Sequence, residues 1–264
     1  VVLSTAIAET SLTIEDVRVV VDGGRARRAR FDPGSGMSRL VTERVTRAEA
    51  AQRAGRAGRV APGVCYRLWT RGEEGALAAY PPAEIEAADL AGLALELALW
   101  GSDDLPFLTP PPAAALAEAR ALLRDLGALD GAGRITAAGR RLAARPVHPR
   151  LGHMLDQGGR AAAPLAALLS GRDPLRGAGA DVALRLAALA GRERAPALEQ
   201  LRAEARRLAK GLPEGPGLTL GQMAALAYPD RIGLRRPGEA PRYVLSGGKG
   251  AALPSGDEMA GDRL

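Results

Sequence analysis

Three arginines follow one another closely in the segment Gln52-Arg53-Ala54-Gly55-Arg56-Ala57-Gly58-Arg59. On a helix, Gln52, Arg56 and Arg59 would share one face, because four and three residues separate them. Arg53 would point about 100° away from that face. A guanidinium is planar and always charged, which suits a polyphosphate, and an arginine at a transferring γ-phosphoryl group raises the rate by roughly 10³ to 10⁵. The segment predicts either a polyphosphate site or a solvated basic helix.

The positive charge of the chain is concentrated around this segment. The 264 residues carry a net charge of +6. Residues 18–60 hold eleven arginines and four acids, a local net charge of +7, so the rest of the chain sums to −1. Gly55 and Gly58 each cost about 1 kcal/mol relative to alanine inside a helix, which favours close approach of a backbone or a ligand there. Such focused charge is what an anion site requires.

The sequence around the arginine segment predicts elements of an α/β layer. Short apolar, β-branched runs at residues 1–4, 17–22 and 64–69 are typical of buried strands in a parallel sheet. Residues 48–57 suit a helix between the second and third runs. The first 75 or so residues therefore predict a parallel sheet with a helix against it.

The remainder of the chain reads as mostly helical. Leucines at helical spacing, a helix after Pro110–Pro112, a turn around Asp130-Gly131 and a further helix predict a winged-helix-like module. A bundle of short helices follows, and then a β-rich region begins. The predicted helices lie at 137–144, 164–169, 182–189, 197–208 and 220–227, and a strand is predicted at 242–245.

Several classes of site and compartment are disfavoured. Cys65 is the single cysteine, so it forms neither an internal disulfide nor a cysteine metal cluster, and a reducing cytoplasm is the expected location. No apolar run reaches the length of a membrane span. His148 and His153 lack an evident third ligand, which favours a structural role over metal binding. The run Gly247–Gly250 favours a turn over a phosphate loop.

Two linked motifs resemble a known family. The segment Ala8-Glu9-Thr10-Ser11-Leu12-Thr13-Ile14, followed about forty residues later by the arginine segment, resembles motifs V and VI of the DEAH/RHA superfamily 2 helicases. Further on, Ala227-Tyr228-Pro229-Asp230-Arg231-Ile232 is most similar to the bacterial HrpB-type branch. The resemblance spans nearly the whole chain and is strongest over its first 70 residues.

The resemblance implies a fold class and four domains. The fold class is α/β, a partial RecA-like domain, followed by mostly α winged-helix and helical-bundle domains and the start of a β-rich domain. The implied boundaries place the second RecA-like domain at 1–75, the winged helix at 76–148, the ratchet-like bundle at 149–212 and an HrpB-type C-terminal region at 213–264.

The resemblance also implies roles for individual residues near the nucleotide. Gln52, Arg56 and Arg59 match the motif VI positions that face ATP, and Arg53 matches a basic position that points elsewhere. Glu15 falls where relatives place an acid near the ribose, although it could equally belong to a solvated helix start.

Nucleic-acid contacts are implied upstream of the arginine segment. Thr5 matches the motif V threonine that contacts the nucleic-acid backbone, while Ala6 replaces the asparagine of many relatives. Arg25, Arg27 and Arg28 lie where relatives carry a β-hairpin near the nucleic-acid path, so they would bind phosphates of single-stranded RNA or DNA in a salt-sensitive manner. An ordinary solvated hairpin is the alternative.

The elements that hold ATP phosphates and magnesium are expected upstream of Val1. The chain contains neither a Gly-x-x-x-x-Gly-Lys-Ser/Thr loop nor an Asp-Glu-x-His box, and it starts without methionine. We therefore interpret it as a fragment of an ATP-dependent RNA or DNA helicase that does not hydrolyse ATP alone. The alternatives are a non-catalytic nucleic-acid-binding module, with a winged helix and a basic patch, and a protein-interaction scaffold.

Overall fold

The structure, a computed structural model, describes residues 1–10, 16–32, 37–175 and 177–263. By its internal contacts the chain divides into two compact units. Unit 1 comprises Val1–Asp89 and Pro106–Ala115, and unit 2 comprises Leu90–Leu105 and Leu116–Leu264. The four domains inferred from the sequence are a finer division, and their boundaries stay predictions.

Unit 1 is built from short strands and helices, and two of its strands form the predicted parallel pair. β1 and β4 pair from Val19↔Val64 to Asp22↔Arg67, and helix α2 contacts both strands. The described elements, in chain order, are α1 (Ile7–Thr10), β1 (Val19–Asp22), β2 (Arg25–Asp32), β3 (Met37–Arg44), α2 (Arg47–Ala57), β4 (Val64–Arg67) and α3 (Arg71–Gly75).

The prediction of buried strands needs correction in two respects. Residues 1–4 form no strand, because a strand needs a hydrogen-bonded neighbour and no described strand pairs with them. In β1 and β4, alternate side chains stay exposed, with Val21 at 63% and Tyr66 at 58%. The described part of this sheet has only two strands, so the face away from α2 is left open.

Strands β2 and β3 form an antiparallel hairpin in register from Arg25↔Arg44 to Asp32↔Met37. Its inner side packs on a small core of Ala26, Val45, Ala50 and Leu77, with Trp69 against it. Thr46, two residues after β3, is the N-cap of α2, and Ala50 of that helix belongs to the same core. The hairpin and α2 are therefore held by the same core.

Unit 2 begins with the order helix, helix, hairpin and helix that the sequence predicts. These elements are α4 (Ala91–Trp100), α5 (Ala113–Asp125), a single antiparallel bridge Leu129↔Ile135 and α6 (Ala137–Ala143). Residues of α5 before Leu116 belong to unit 1. Leu123 of α5 and Leu142 of α6 are fully buried, as expected for residues on the apolar stripe of an amphipathic helix.

A helical bundle follows, as predicted. Leu151, Met154 and Leu155 of its first helix recur at spacings of three and four, which places all three in the main core. The bundle consists of α7 (Pro149–Gly158), α8 (Ala163–Ser170), α9 (Val182–Ala190), α10 (Pro196–Ala209) and α11 (Leu220–Ala227). The longest described helix, α10, has 14 residues, whereas about 20 are needed to cross a bilayer, and no described helix qualifies as a membrane span.

The chain ends in a three-stranded antiparallel sheet of order β5-β6-β7. The sequence predicted β6 (Arg242–Leu245), which has an apolar run. It did not predict β5 (Gly233–Arg235) or β7 (Gly250–Ala252). Both have three residues rich in glycine, alanine or arginine, so neither shows the β-branched alternation that marks a strand.

Candidate functional site

Helix α2 carries the arginine segment and has a defined start. The Thr46 hydroxyl accepts from the Glu49 N–H at 3.3 Å, and the Glu49 carboxylate accepts from the Thr46 N–H at 2.7 Å. This reciprocal capping box fixes where the helix begins. The helix ends at Ala57, with Gly58 as its C-cap.

The end of α2 changes one expectation from the spacing. Gln52 and Arg56 share a helix face, as predicted, but Arg59 lies two residues beyond the helix. The reason is local, since Gly58 follows Gly55 closely and glycine ends helices readily. Gln52 and Arg59 are exposed, and Arg56 is half-buried. An ideal Cβ at Gly55 or Gly58 would meet no described atom within 4 Å, so this edge of α2 is open.

The Arg56 side chain binds a main-chain carbonyl of the motif V segment. Its Nε donates to the carbonyl oxygen of Glu9 in α1 at 3.0 Å, and a terminal guanidinium nitrogen donates to the same oxygen. Glu9 lies 47 residues before Arg56 in the chain. The predicted nucleotide-facing arginine and the predicted nucleic-acid-contacting segment are thus in direct contact.

Arg53 points elsewhere, as the spacing predicted, and is bound by two carboxylates. Its Nε donates to Glu9 Oε1 at 2.7 Å and its Nη1 to Asp22 Oδ1 at 2.9 Å. The three side chains are 16%, 10% and 1% exposed, in the order Arg53, Glu9 and Asp22. Burial acts to lower the pKa of Arg53, but the hydrogen bonds to Glu9 and Asp22 outweigh it and raise that pKa above its ordinary value.

Asp22, the second partner of Arg53, is the last residue of strand β1. Its Oδ1 also accepts the N–H of Gly24 at 2.9 Å, while its buried Oδ2 has no hydrogen-bond partner among the described residues. Gly24 has φ +69 and turns the chain into the hairpin. Asp22 therefore joins β1, the hairpin and α2 at one point. Neither Glu9 nor Asp22 was predicted as a site residue from the sequence; the signal available was an acid inside motif V and an acid ending an apolar strand.

A cavity of about 790 Å³ in unit 1 collects several of the predicted residues. Thr5, Arg25, Arg27 and Arg56 all line it, together with Glu9, Arg53 and strand β1. Thr5 is exposed. Gln52, Arg59 and Arg28 do not line this cavity. Glu15 lies outside the described residues, as do the motif V residues 11–14.

The arginines on the two faces of the hairpin have different surroundings. Arg25 and Arg27 lie on the same face and are exposed. On the other face, Arg28 donates to Glu43 at 3.0 Å and to Glu49 at 2.6 Å. Arg28 thus forms ion pairs with two acidic side chains of the protein, whereas Arg25 and Arg27 make no ion pair with a described residue.

The ion pairs on the Arg28 face form a network that includes Arg30. Two guanidinium nitrogens of Arg30 donate to the Glu43 carboxylate, at 2.8 and 2.7 Å. These hydrogen bonds from Arg30, followed by those from Arg28, lower the pKa of Glu43 from 4.5 to about 2. The network ties β2 to β3 and, through Glu49, to the start of α2.

The lowered pKa of Glu43 predicts a pH dependence of stability. A carboxyl whose pKa is depressed on folding stabilises the fold above its unfolded value and loses that contribution as the pH falls towards its folded value. We therefore expect the free energy of unfolding to decrease between about pH 4.5 and pH 2, and less so in Glu43→Gln. Urea unfolding at a series of pH values measures this, with Glu84→Gln as the exposed control. Equal slopes in wild type and Glu43→Gln would contradict the network.

The two histidines lie on or next to helix α7. The His148 Nδ1 accepts from the N–H of Arg150 at 3.2 Å and so caps this helix. Burial lowers the pKa of His153, and the nearby Asp156 only partly opposes that shift. Within the described ranges no cluster of three or more His, Cys, Asp or Glu residues is placed to hold a metal ion.

This chain is similar to a helicase-associated domain family and to known RNA helicases. The winged-helix part of the helicase-associated domain (HA2) matches residues 119–147. The ATP-dependent RNA helicase HrpB of Escherichia coli is 40% identical over 272 residues, covering 98% of this chain and 32% of that protein. The probable ATP-dependent RNA helicase DHX34 of Homo sapiens is 43% identical over 160 residues, covering 60% of this chain and 14% of that protein.

The solved structure of one such relative is similar to this chain over nearly its whole length. A crystal structure of the Escherichia coli DEAH/RHA helicase HrpB superposes with a TM-score of 0.84 at 39% identity, over 97% of this chain and 33% of that one. This chain spans about a third of the length of that relative. The resemblance to HrpB-type DEAH/RHA helicases that the motifs indicated is confirmed, as is the fold class.

Proposed function

We propose that this chain, related to the HrpB-type DEAH/RHA helicases over nearly its whole length, is part of an ATP-dependent RNA helicase. In that enzyme Arg56 and Arg59, with Gln52, act on the γ-phosphate of ATP. Thr5 and the exposed hairpin face contact the RNA backbone. The chain by itself does not hydrolyse ATP, because the residues that hold the β- and γ-phosphates and magnesium lie outside it.

The donor set of the arginine segment supports an ATP phosphate as its target. Gln52, Arg56 and Arg59 offer N–H donors, and two of them carry a permanent positive charge. Such groups suit phosphate oxygens, whereas magnesium prefers carboxylate, carbonyl and water oxygens. ATP, when bound, supplies a γ-phosphoryl group on which negative charge is redistributed as it transfers. Arg56 and Arg59 stabilise that charge, and Gln52 donates beside them.

The proposal rests on the hydrogen bond from the Arg56 guanidinium to the Glu9 carbonyl oxygen. Because Arg56 holds the Glu9 carbonyl and Arg53 holds the Glu9 carboxylate, α1 is tied to α2 at two points. A displacement of α2 when ATP is hydrolysed is therefore passed to α1 and to Thr5, four residues before Glu9. This contact gives ATP turnover a physical route to the RNA backbone.

The RNA part of the proposal is assigned to one face of the hairpin. Arg25 and Arg27 are exposed and line the same cavity as Thr5. Arg28 is engaged with Glu43 and Glu49, so we assign it mainly to holding the hairpin together. RNA, rather than DNA, is proposed because the relatives are named as RNA helicases.

Titration of ATP hydrolysis with single-stranded RNA tests this function in the intact protein. We expect RNA to stimulate hydrolysis, and we expect Arg25→Gln/Arg27→Gln to raise the RNA concentration for half-maximal stimulation by roughly fivefold to tenfold, as two exposed phosphate contacts are lost. The matched control is Arg47→Gln/Arg71→Gln, which removes two exposed charges elsewhere in unit 1. An RNA-independent ATPase, or equal shifts in both double variants, would contradict the proposal.

A further inference from the structure

We propose that the winged-helix part of unit 2 holds a second contact for an RNA phosphate, formed by Arg120, Arg124 and the turn 131–133. These residues line a cavity of about 250 Å³, together with Ala94 and Ala98 of α4, Asp103 and Leu129. All of them belong to unit 2. The ligand class, an RNA backbone, rests on the proposed function; the anion site itself rests on the geometry.

The two arginines converge on this cavity because of their spacing. Arg120 and Arg124 are four residues apart on α5, so they lie one turn apart on one face. The acids of the same helix, Glu118 and Asp125, lie at least about 100° away around its axis. Helix α5 therefore presents a positive face to the cavity, although its charges cancel over its whole length.

The other walls leave room for a ligand. Ala94 and Ala98 are also four residues apart and put only methyl groups towards the cavity. Gly131 and Gly133 add bare backbone, and Gly133 has φ +79, a conformation that favours glycine. The Asp130 carboxylate faces its own turn, where Oδ1 accepts from the N–H groups of Ala132 and Arg134, each at 2.9 Å. The turn is therefore formed before any ligand arrives.

Asp103 is the competing anion in this cavity. Its carboxylate pairs with Arg120 at 2.6 Å, and its side chain is 64% exposed. Exposed ion pairs contribute little net stability, so a phosphate can replace this partner at small cost. Arg124 has no ion pair with a described residue, which leaves its guanidinium available to a second phosphate oxygen. Two guanidinium groups side by side match the several acceptors of a phosphodiester better than a single carboxylate would.

The test measures single-stranded RNA binding by the intact protein, using fluorescence anisotropy at several salt concentrations. We expect Arg120→Gln/Arg124→Gln to weaken binding roughly tenfold and to reduce the salt slope by about 0.7, the contribution of one single-strand phosphate contact, because both arginines bind the same phosphate. The matched control, Arg192→Gln/Arg194→Gln, removes two exposed arginines of unit 2 and should change neither quantity appreciably. Asp103→Asn should strengthen binding severalfold, because it removes the competing carboxylate and retains the side-chain shape.

Each outcome decides one part of the inference. Opposite effects of Asp103→Asn and the arginine double variant support the site. Equal effects of the two double variants, or unchanged binding in Asp103→Asn, overturn it even if RNA stimulates the ATPase of the intact protein. Inorganic phosphate that shifts the NMR signals of the 131–133 amides, without any effect of the variants on RNA binding, would overturn the assignment to RNA. Loss of RNA-stimulated ATPase in the wild-type intact protein would instead contradict the proposed function.

Discussion

Replacement of Arg59 by alanine in the intact protein should lower RNA-stimulated ATP hydrolysis by roughly 10³-fold or more, and Arg56→Ala should do the same. The reason is electrostatic: a guanidinium placed where charge is redistributed on the phosphoryl group stabilises the transition state more than the ground state. RNA binding should be largely retained, because neither residue is assigned to the RNA. Steady-state hydrolysis and RNA anisotropy, measured on the same samples, separate the two effects.

The two arginines differ in what else they hold. Arg56 also binds the Glu9 carbonyl, so Arg56→Ala loosens α1 as well as removing charge. Arg56→Lys keeps the charge but loses the planar fork, and we expect it to recover only a small part of the rate. Arg47→Ala, at the exposed start of α2, is the matched control and should retain wild-type turnover. Normal hydrolysis in both Arg56→Ala and Arg59→Ala would remove these residues from the catalytic assignment.

Arg53→Met should destabilise unit 1 by about 3–5 kcal/mol. The substitution leaves the carboxylates of Glu9 and Asp22, 10% and 1% exposed, without their cation. Breaking a buried ion pair is costly because the remaining charge is neither solvated nor compensated. Urea unfolding of the 264-residue chain measures the change, and Arg39→Met, an exposed position on β3, serves as control.

A second set of variants separates the charge effect from lost packing. Adding Glu9→Gln and Asp22→Asn to Arg53→Met removes the uncompensated carboxylates, so part of the lost stability should return. If the triple variant is no more stable than Arg53→Met, the loss comes from the side-chain volume and not from the ion pairs.

Local spacing was enough to predict many elements of the fold. Helix α2, helix α11 and strand β6 were predicted within about one residue, because each has a clear apolar period or a capping signal. Residues 1–4 have the composition of a strand but form none, since pairing depends on a neighbour that a local pattern does not reveal. Strands of three residues, such as β5 and β7, are too short to show alternation.

The site shows the same division between local and long-range information. Helical spacing predicted that Arg53 points away from Gln52 and Arg56. It could not predict that Glu9 and Asp22, 44 and 31 residues earlier, would meet Arg53. Alternation along β2 also separates Arg27 from Arg28, yet only the register with β3 shows that Glu43 occupies the Arg28 side.

Formation of a complex with ADP and fluoroaluminate, a mimic of the transferring phosphoryl group, tests the role of Arg56 and Arg59 most directly. In the presence of RNA and magnesium, the intact wild-type protein should trap this complex. Arg56→Ala and Arg59→Ala should fail to trap it while binding ADP alone with unchanged affinity. Trapping by both variants at the wild-type level would contradict the account, because it would show that neither guanidinium acts on the phosphoryl group.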